Sequence, residues 1–193
     1  IFSETLMGLA EKDEKIVAIT AAMPDGTGLR KFSQKYPDRY FDVGIAEGNA
    51  VTMSAGLSLT GRKPVVAIYS SFMQRAYDSV IHDVCLQKLP VIFALDRAGL
   101  VGEDGPTHHG VFDLSFLRNV PDLTVMAPSD GEELKKMLTW ATEQNKSIAI
   151  RYPRGDASES LQEKSEEIRD GKGRIFTIGA DVNLLAIGSM VKP

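Results

Sequence analysis

The chain has 193 residues, of which 43% are hydrophobic and 25% are charged, values that suit a soluble protein with one sizeable core. Its 22 basic and 26 acidic residues give a formal net charge of −4, which argues against a nucleic-acid binder and gives no sign of a membrane-surface patch. A single cysteine, Cys85, excludes an internal disulfide framework and is compatible with a reducing compartment. No apolar run approaches the ~20 residues needed to span a bilayer, so we expect a cytoplasmic protein.

Short apolar strand patterns alternate with helical patterns along most of the chain. The predicted strands are 16–20, 40–43, 64–69, 89–95, 123–126 and 147–151. The predicted helices span about 3–14, 46–60, 71–87 and 129–144, with weaker patterns near 27–36 and 113–119. This alternation predicts an α/β fold that is doubly wound, with a mainly parallel sheet and helices on both faces.

The composition changes after Gly155. Residues 156–173 are polar and rich in Glu, Lys and Ser, which indicates a linker that follows a domain formed by residues 1–155. The remaining segment, 174–193, contains two more strand-like runs, 174–178 and 182–187, and we expect it to begin another domain. Because a helical pattern starts directly at Ile1 and the strand pattern is still building at Pro193, we expect a fragment of a longer polypeptide.

The stretch 96–110, DRAGLVGEDGPTHHG, concentrates reactive side chains in a glycine-punctuated loop. Arg97, Asp104 and the adjacent His108 and His109 follow directly after the predicted strand 89–95. Ligands of open α/β sheets bind at the carboxyl ends of the strands. The loop is therefore predicted to belong to an active site.

A second candidate is Glu47, in FDVGIAEGNAV at the junction of a predicted strand and helix. A carboxylate in the first turn of a helix is stabilised by the helix dipole, so Glu47 can be explained as a helix-start residue. Its apolar neighbours Ile45, Ala46 and Ala50 favour a functional role, since a desolvated carboxyl group can retain a proton near neutral pH. Such a group can exchange a proton with a bound heterocycle.

A third candidate is IYSSFMQRAYDSVIHD, residues 68–83, which runs from a strand end into a helix. Tyr69 and Phe72 fit either a core or the wall of a cleft. Arg75 lies in the first helical turn, where the dipole does not favour a cation, so we expect it to have an anionic partner.

Two further arginines lie in RYPRG, residues 151–155, at the end of the last predicted strand of the domain. The guanidinium forks of Arg151 and Arg154 suit a phosphate or carboxylate ligand. A surface ion pair explains the same residues equally well.

Taken in order and spacing, these segments resemble the pyrimidine-binding domain of the 1-deoxy-D-xylulose-5-phosphate synthases, which are transketolase-like enzymes that use thiamine diphosphate. The resemblance rests on Glu47 in GIAE, on IYSSFMQRAYD, on DRAGLVGEDGPTHHGVFDLSFLR and on RYPRG. It covers residues 2–155, and 174–190 resemble the start of the family's C-terminal domain. The chain departs from the family where Gly48-Asn49 replaces the usual Gln-His.

The resemblance implies a transferase that condenses pyruvate with D-glyceraldehyde 3-phosphate to 1-deoxy-D-xylulose 5-phosphate and CO2, for isoprenoid precursor, thiamine and pyridoxal biosynthesis. It implies a homodimer of the full-length protein. In this family Mg2+ and the cofactor diphosphate bind to a GDG-plus-asparagine motif in a preceding domain, and this chain contains no such motif. The chain is therefore expected to hold only the pyrimidine half of the cofactor and to be inactive alone.

The resemblance also assigns cofactor and catalytic roles. Glu47 is expected to bond a ring nitrogen of the aminopyrimidine, and Phe72 to stack on that ring. Arg75, Asp104 and His108 are expected near the reacting carbon, with His108 as the proton shuttle because imidazole titrates near neutral pH.

Three residues are implied to bind the acceptor substrate. Tyr69 is expected to line its pocket, and Arg97 and Arg154 to hold its phosphate through their planar guanidinium groups. Two other functions remain open: the C-terminal subunit of a split transketolase or related thiamine enzyme, and a non-catalytic phosphosugar-binding α/β module. Activity with ketose donors in place of pyruvate would indicate the split transketolase.

Overall fold

A six-stranded parallel sheet lies at the centre of a computed structural model of the chain, which describes residues 1–156 and 167–191. The strands are β1 (Ile16–Thr20), β2 (Tyr40–Asp42), β3 (Lys63–Tyr69), β4 (Ile92–Asp96), β5 (Thr124–Met126) and β6 (Ile148–Arg151). Their order across the sheet is β2-β1-β3-β4-β6-β5, and every pairing is parallel. The predicted doubly wound α/β fold is confirmed.

Helices connect the strands. They are α1 (Phe2–Lys12), α2 (Arg30–Lys35), α3 (Glu47–Leu59), α4 (Ser70–Met73), α5 (Tyr77–Ser79), α6 (Asp113–Leu117) and α7 (Gly131–Glu143). Short 3-10 turns occupy Pro37–Arg39, Gln74–Ala76, Gly102–Asp104, Pro106–His108 and Gly188–Val191, and a π-helical stretch occupies Val80–Cys85. Among the described helices, none is long and apolar enough to cross a bilayer.

Both faces of the sheet are buried, which explains why its central strands are apolar without interruption. Successive side chains of a strand point to opposite faces. In β4, Ile92 and Ala94 belong to the core cluster that includes α1, α2 and α7. Phe93 and Leu95 belong to the cluster that includes α3, the 70–85 segment and α6.

One predicted helix, 71–87, differs from the structure. The segment is α4, a 3-10 turn, α5 and a π-helical stretch in succession. The apolar period is kept, since Val80, Val84 and Cys85 are all buried. The apolar periodicity indicates which side chains face the core. It does not distinguish the hydrogen-bond patterns of α, 3-10 and π helices.

The predicted strands 174–178 and 182–187 are wrong for the described structure. Neither belongs to the sheet, and Ile175, Leu184 and Leu185 are exposed. A strand needs a neighbour to satisfy its backbone groups, and the order of the described sheet places none beside these runs. Of the predicted linker, residues 157–166 lie outside the described residues, and the division into domains stays a prediction.

Candidate active site

The carboxyl edge of the sheet gathers the predicted site residues, because parallel strands all end on the same side. The contributing segments are the loop after β1, the start of α3 after β2, α4 after β3, the loop after β4 and the turn after β6.

Glu47 and Arg75 form an ion pair at this edge. Glu47 is the first residue of α3 and is buried, with 4% of its side chain exposed. Its Oε1 accepts a hydrogen bond from Nη1 of Arg75 at 2.6 Å. The guanidinium of Arg75 also lies 4.8 Å from the ring centroid of Phe72. The anionic partner expected for Arg75 is therefore supplied by Glu47 in the protein alone.

Tyr69, Phe72 and His108 form an aromatic wall beside this pair. The ring centroids of Tyr69 and Phe72 are 5.4 Å apart, those of Phe72 and His108 are 5.1 Å apart, and those of Tyr69 and His108 are 6.1 Å apart. All three rings are partly exposed. Tyr69 ends β3 and Phe72 lies in the following α4, whereas His108 lies in the loop after β4. The wall therefore joins two separate segments of the chain.

Asp104 bridges the two arginines that the resemblance assigns to substrate phosphate. Its Oδ2 accepts a hydrogen bond from Nε of Arg97 at 3.1 Å, and its Oδ1 accepts one from Nη1 of Arg154 at 2.5 Å. The expected grouping of Arg75, Asp104 and His108 is thus divided. Arg75 and His108 both contact Phe72, whereas Asp104 is bonded to the arginines.

Arg97 is held from several sides at the end of β4. Its Nη1 donates to Asp96 Oδ2 at 2.9 Å and to the carbonyl oxygen of Gly26 at 2.8 Å, and its guanidinium lies 4.0 Å from the ring centroid of Tyr69. Burial raises the pKa of Asp96 to about 6, against the opposing effect of the Arg97 cation. Burial also raises the pKa of Tyr69. These contacts fix the guanidinium on the wall of the site.

Gly26 is a site residue that the sequence patterns do not single out. A Cβ on Gly26 would lie only 1.7 Å from the Tyr69 hydroxyl oxygen, so no larger residue fits without moving the tyrosine. The available signal is the Asp25-Gly26 pair, a turn signature that follows β1 at the same edge of the sheet.

The site loop, residues 99–110, is closed at its neck by two backbone hydrogen bonds. Gly99 N donates to Gly110 O and Gly110 N donates to Gly99 O, each at 2.8 Å. Within the loop, Nδ1 of His109 accepts a hydrogen bond from Val101 N at 3.2 Å. Nδ1 of His108 lies 2.9 Å from Thr107 Oγ1. The two histidines thus have different surroundings, and only His108 joins the aromatic wall.

Beneath the site loop lies a buried polar cluster that the sequence patterns do not predict. Asp113 Oδ2 accepts hydrogen bonds from Ser70 Oγ and from Arg151 Nε, each at 2.8 Å. Arg151 is therefore engaged within the protein. Of the two arginines in RYPRG, Arg154 is the one in the site.

Other reactive side chains lie elsewhere. His82 is exposed and pairs with Asp83, its Nδ1 lying 2.8 Å from Oδ1. Cys85 is buried, and burial raises the pKa of its thiol. Within residues 1–156 and 167–191, no cluster of three or more His, Cys, Asp or Glu side chains could hold a metal ion.

The described chain is a parallel α/β domain that carries a buried glutamate and an aromatic wall at the carboxyl edge of its sheet. Residues 1–159 match the family model described as transketolase, pyrimidine binding domain, and the chain belongs to this family.

Within the family, the predicted resemblance to 1-deoxy-D-xylulose-5-phosphate synthases is confirmed. The chain is 58% identical over 193 residues to the 1-deoxy-D-xylulose-5-phosphate synthase of Clostridium acetobutylicum, covering 99% of this chain and 31% of that protein. It is 59% identical over 194 residues to 1-deoxy-D-xylulose-5-phosphate synthase 1 of Geobacter sulfurreducens, covering 100% of this chain and 30% of that protein. The chain thus spans less than a third of the length of these curated relatives.

Solved structures show the same fold. A protein described as a split gene transketolase, inactive beta4 tetramer, superimposes with a TM-score of 0.81 at 28% identity, over 93% of this chain and 58% of that one. Transketolase from Leishmania mexicana superimposes with a TM-score of 0.70 at 24% identity, over 78% of this chain and 24% of that one.

Proposed function

We propose that this chain forms the pyrimidine-binding half of an active site that condenses pyruvate with D-glyceraldehyde 3-phosphate to 1-deoxy-D-xylulose 5-phosphate and CO2. The observation that carries the proposal is the buried carboxylate of Glu47, which opens α3 next to the aromatic wall. The identity to named synthases supports this reaction over others catalysed on the same fold.

The residues present fit the aminopyrimidine of thiamine diphosphate. A carboxyl group buried at one end of a partly exposed aromatic wall can hydrogen-bond a ring nitrogen while the ring stacks on Phe72. Arg75, which now bonds Glu47, would then turn toward other groups of the site. When bound, the cofactor supplies the electron sink for decarboxylation. Mg2+ is assigned no ligand in this chain, and we propose that a preceding domain holds it with the cofactor diphosphate.

Arg97 and Arg154 suit the phosphate of the acceptor. Both guanidinium groups already converge on one carboxylate, that of Asp104, and a phosphate offers the same kind of oxygen acceptor with more charge. Tyr69, under the guanidinium of Arg97, would line the pocket. The phosphate would replace the Asp104 carboxylate as the partner of these two arginines.

The reaction requires one net proton. The carboxyl carbon of pyruvate leaves as CO2, and its keto carbon forms a bond to the aldehyde carbon of the acceptor, whose oxygen becomes a hydroxyl. We assign that proton transfer to His108, because it is the imidazole of the aromatic wall and an imidazole can act as a general acid or base.

We also propose that the full-length protein is a homodimer. Ile45, Leu100 and Phe112 are 83%, 77% and 60% exposed, and all three lie in segments at the carboxyl edge of the sheet. Exposed apolar residues beside a site support coverage by another domain or subunit.

The similarity to a split gene transketolase supports a second candidate, in which a ketose in place of pyruvate donates the two-carbon unit. The two candidates share Glu47 and the fold. They differ in the donor, since only pyruvate releases CO2.

The test uses the full-length protein that contains this chain, with thiamine diphosphate, Mg2+, pyruvate and D-glyceraldehyde 3-phosphate. We expect release of CO2 that depends on both substrates, and a loss of at least about 100-fold in kcat for Glu47→Ala, the scale of a lost acid–base group. The matched control is Glu4→Ala, which removes an exposed first-turn acid from α1 and should retain activity.

Two results would contradict the proposal. Absence of CO2 release in the wild type, with turnover of ketose donors, would favour the split transketolase. Full activity of Glu47→Ala would refute the role of the glutamate.

A further inference from the structure

The buried cluster beneath the site loop is built around one carboxylate. Asp113, Ser70 and Arg151 have 1%, 1% and 13% of their side chains or residues exposed. Asp113 Oδ2 accepts from both Ser70 Oγ and Arg151 Nε, and Asp113 Oδ1 accepts from Leu114 N at 2.7 Å. The carboxylate thus has a donor on each oxygen and one neutralising cation.

The three members of the cluster come from three separate segments of the chain. Ser70 directly follows β3 and Arg151 is the last residue of β6, while Asp113 opens α6. The next residue after Arg151, Tyr152, accepts a hydrogen bond through its carbonyl oxygen from Ala98 N at 3.0 Å. Asp113 therefore joins the strands on either side of β4 at the level where the site loop begins.

The neck of the site loop rests directly on this cluster. A Cβ on Gly110 would lie 2.4 Å from Ser70 Oγ and 2.4 Å from the carbonyl oxygen of Arg97. The backbone of Gly110 thus lies in close contact with Ser70, which is hydrogen-bonded to Asp113, and with the backbone of Arg97. Arg97 itself has a φ of 62°, a left-handed conformation that a non-glycine residue keeps only when its surroundings hold it.

We propose that Asp113 is a positioning residue for the acceptor half of the site, acting through Ser70 and Arg151 to set the neck of the site loop and the backbone of Arg97. This inference rests on the proposed function. Because Asp113 is buried by these contacts, we assign it no contact with the substrate. Its effect would reach the acceptor through Arg97 and through Asp104 and His108, which the loop carries.

The position of the cluster gives the proposal a selective consequence. Asp104 lies in the site loop and Arg97 lies against its neck, whereas Glu47 and Arg75 belong to α3 and to the turn after α4. Loosening the neck should disturb the groups that hold acceptor phosphate more than the groups around Glu47. The KM for the acceptor should rise while the KM for the donor does not.

The experiment compares Ser70→Ala and Asp113→Asn with wild type in the full-length protein, in assays that vary pyruvate and D-glyceraldehyde 3-phosphate separately. We expect Ser70→Ala to raise the acceptor KM about five- to tenfold, the scale of the net contribution of one typical hydrogen bond. Asp113→Asn should raise it further, because it leaves Arg151 buried without its counterion. The donor KM should stay within about twofold of wild type. Ser115→Ala is the matched control, since Ser115 is an exposed serine of α6, the helix that Asp113 opens.

The outcomes separate three cases. A loss of folded enzyme lowers the apparent kcat and leaves both KM values unchanged. If Ser70→Ala lowers kcat alone, or raises both KM values equally, the positioning role is overturned. If Asp113→Asn does not fold, Ser70→Ala decides the matter by itself, since it removes no charge. If the wild type shows no activity with these substrates, the proposed function fails, and the thermal midpoints of the same variants then report only on stability.

Discussion

At the scale of single residues, the charges of the candidate site already have partners within the protein. Glu47 is bonded to Arg75, and Asp104 is bonded to Arg97 and Arg154. A ligand that binds here must therefore exchange partners with the protein, and its net affinity is the difference between two sets of interactions.

The carboxylate of Asp104 should compete with phosphate for Arg97 and Arg154. We expect Asp104→Asn to lower the inhibition constant of inorganic phosphate against D-glyceraldehyde 3-phosphate by about tenfold, because the amide keeps the side-chain volume but removes the competing charge. The matched control is Glu103→Gln, which makes the same change in net charge on a 94% exposed side chain 3.8 Å from Arg154. Equal effects of the two substitutions, or weaker phosphate binding in Asp104→Asn, would contradict the prediction.

Asp96 should titrate well above an ordinary aspartate. Burial raises its pKa to about 6, from an ordinary value of about 3.9, so the folded protein binds this proton more tightly than the unfolded chain does. The stability that the protonated carboxyl contributes is therefore fully present below about pH 4 and is lost as the pH rises through about 6.

The check is a titration of the aspartate carboxyl carbons by NMR, with the signal of Asp96 assigned by its loss in Asp96→Asn. A midpoint near pH 6 is expected. A midpoint near pH 4 would contradict the prediction and show that the Arg97 cation cancels the effect of burial.

At the scale of elements, the six strands of the sheet were predicted from the sequence, whereas 174–178 and 182–187 were wrongly predicted as strands. Predicted strand 16–20 coincides with β1, and 89–95 overlaps β4, because strands covered on both faces are continuous apolar runs bounded by polar loops. The 71–87 helix was placed correctly but not its internal register, since periodicity carries no information on α, 3-10 or π hydrogen bonding.

The same limit applies to the elements of the site. The rule that ligands bind where parallel strands end was enough to place the loop after β4 and Glu47 at one edge. It could not pair Asp104 with Arg154, or Ser70 with Asp113, because these bonds join residues 50 and 43 positions apart. Gly26, which bonds Arg97 across 71 positions, was missed for the same reason: its role lies in a backbone contact and leaves no side-chain pattern.

At the scale of the whole molecule, we propose that the chain supplies one side of a site. Glu47 and Phe72, the proposed pyrimidine contacts, lie at an edge where Ile45, Leu100 and Phe112 are exposed. The relatives that the chain matches are about three times longer. We therefore expect the affinity for cofactor to depend on parts of the full-length protein beyond residues 1–193.

Thiamine diphosphate with Mg2+ should raise the thermal midpoint of the full-length protein by several degrees, because a ligand that binds only the folded state stabilises it by RT ln(1 + [L]/Kd). The isolated 1–193 chain should shift by less than about one degree under the same conditions, since Glu47 and Phe72 contact only the pyrimidine in the proposed complex and leave the charged diphosphate in water. Full-length Glu47→Ala should give an intermediate shift, because it loses the pyrimidine contact and keeps the diphosphate site. An equal shift of the isolated chain and the full-length protein would contradict the proposal that the chain binds only the pyrimidine half of the cofactor. A Glu47→Ala shift equal to that of the full-length wild type would show that Glu47 does not contact the cofactor, and it would leave that proposal standing.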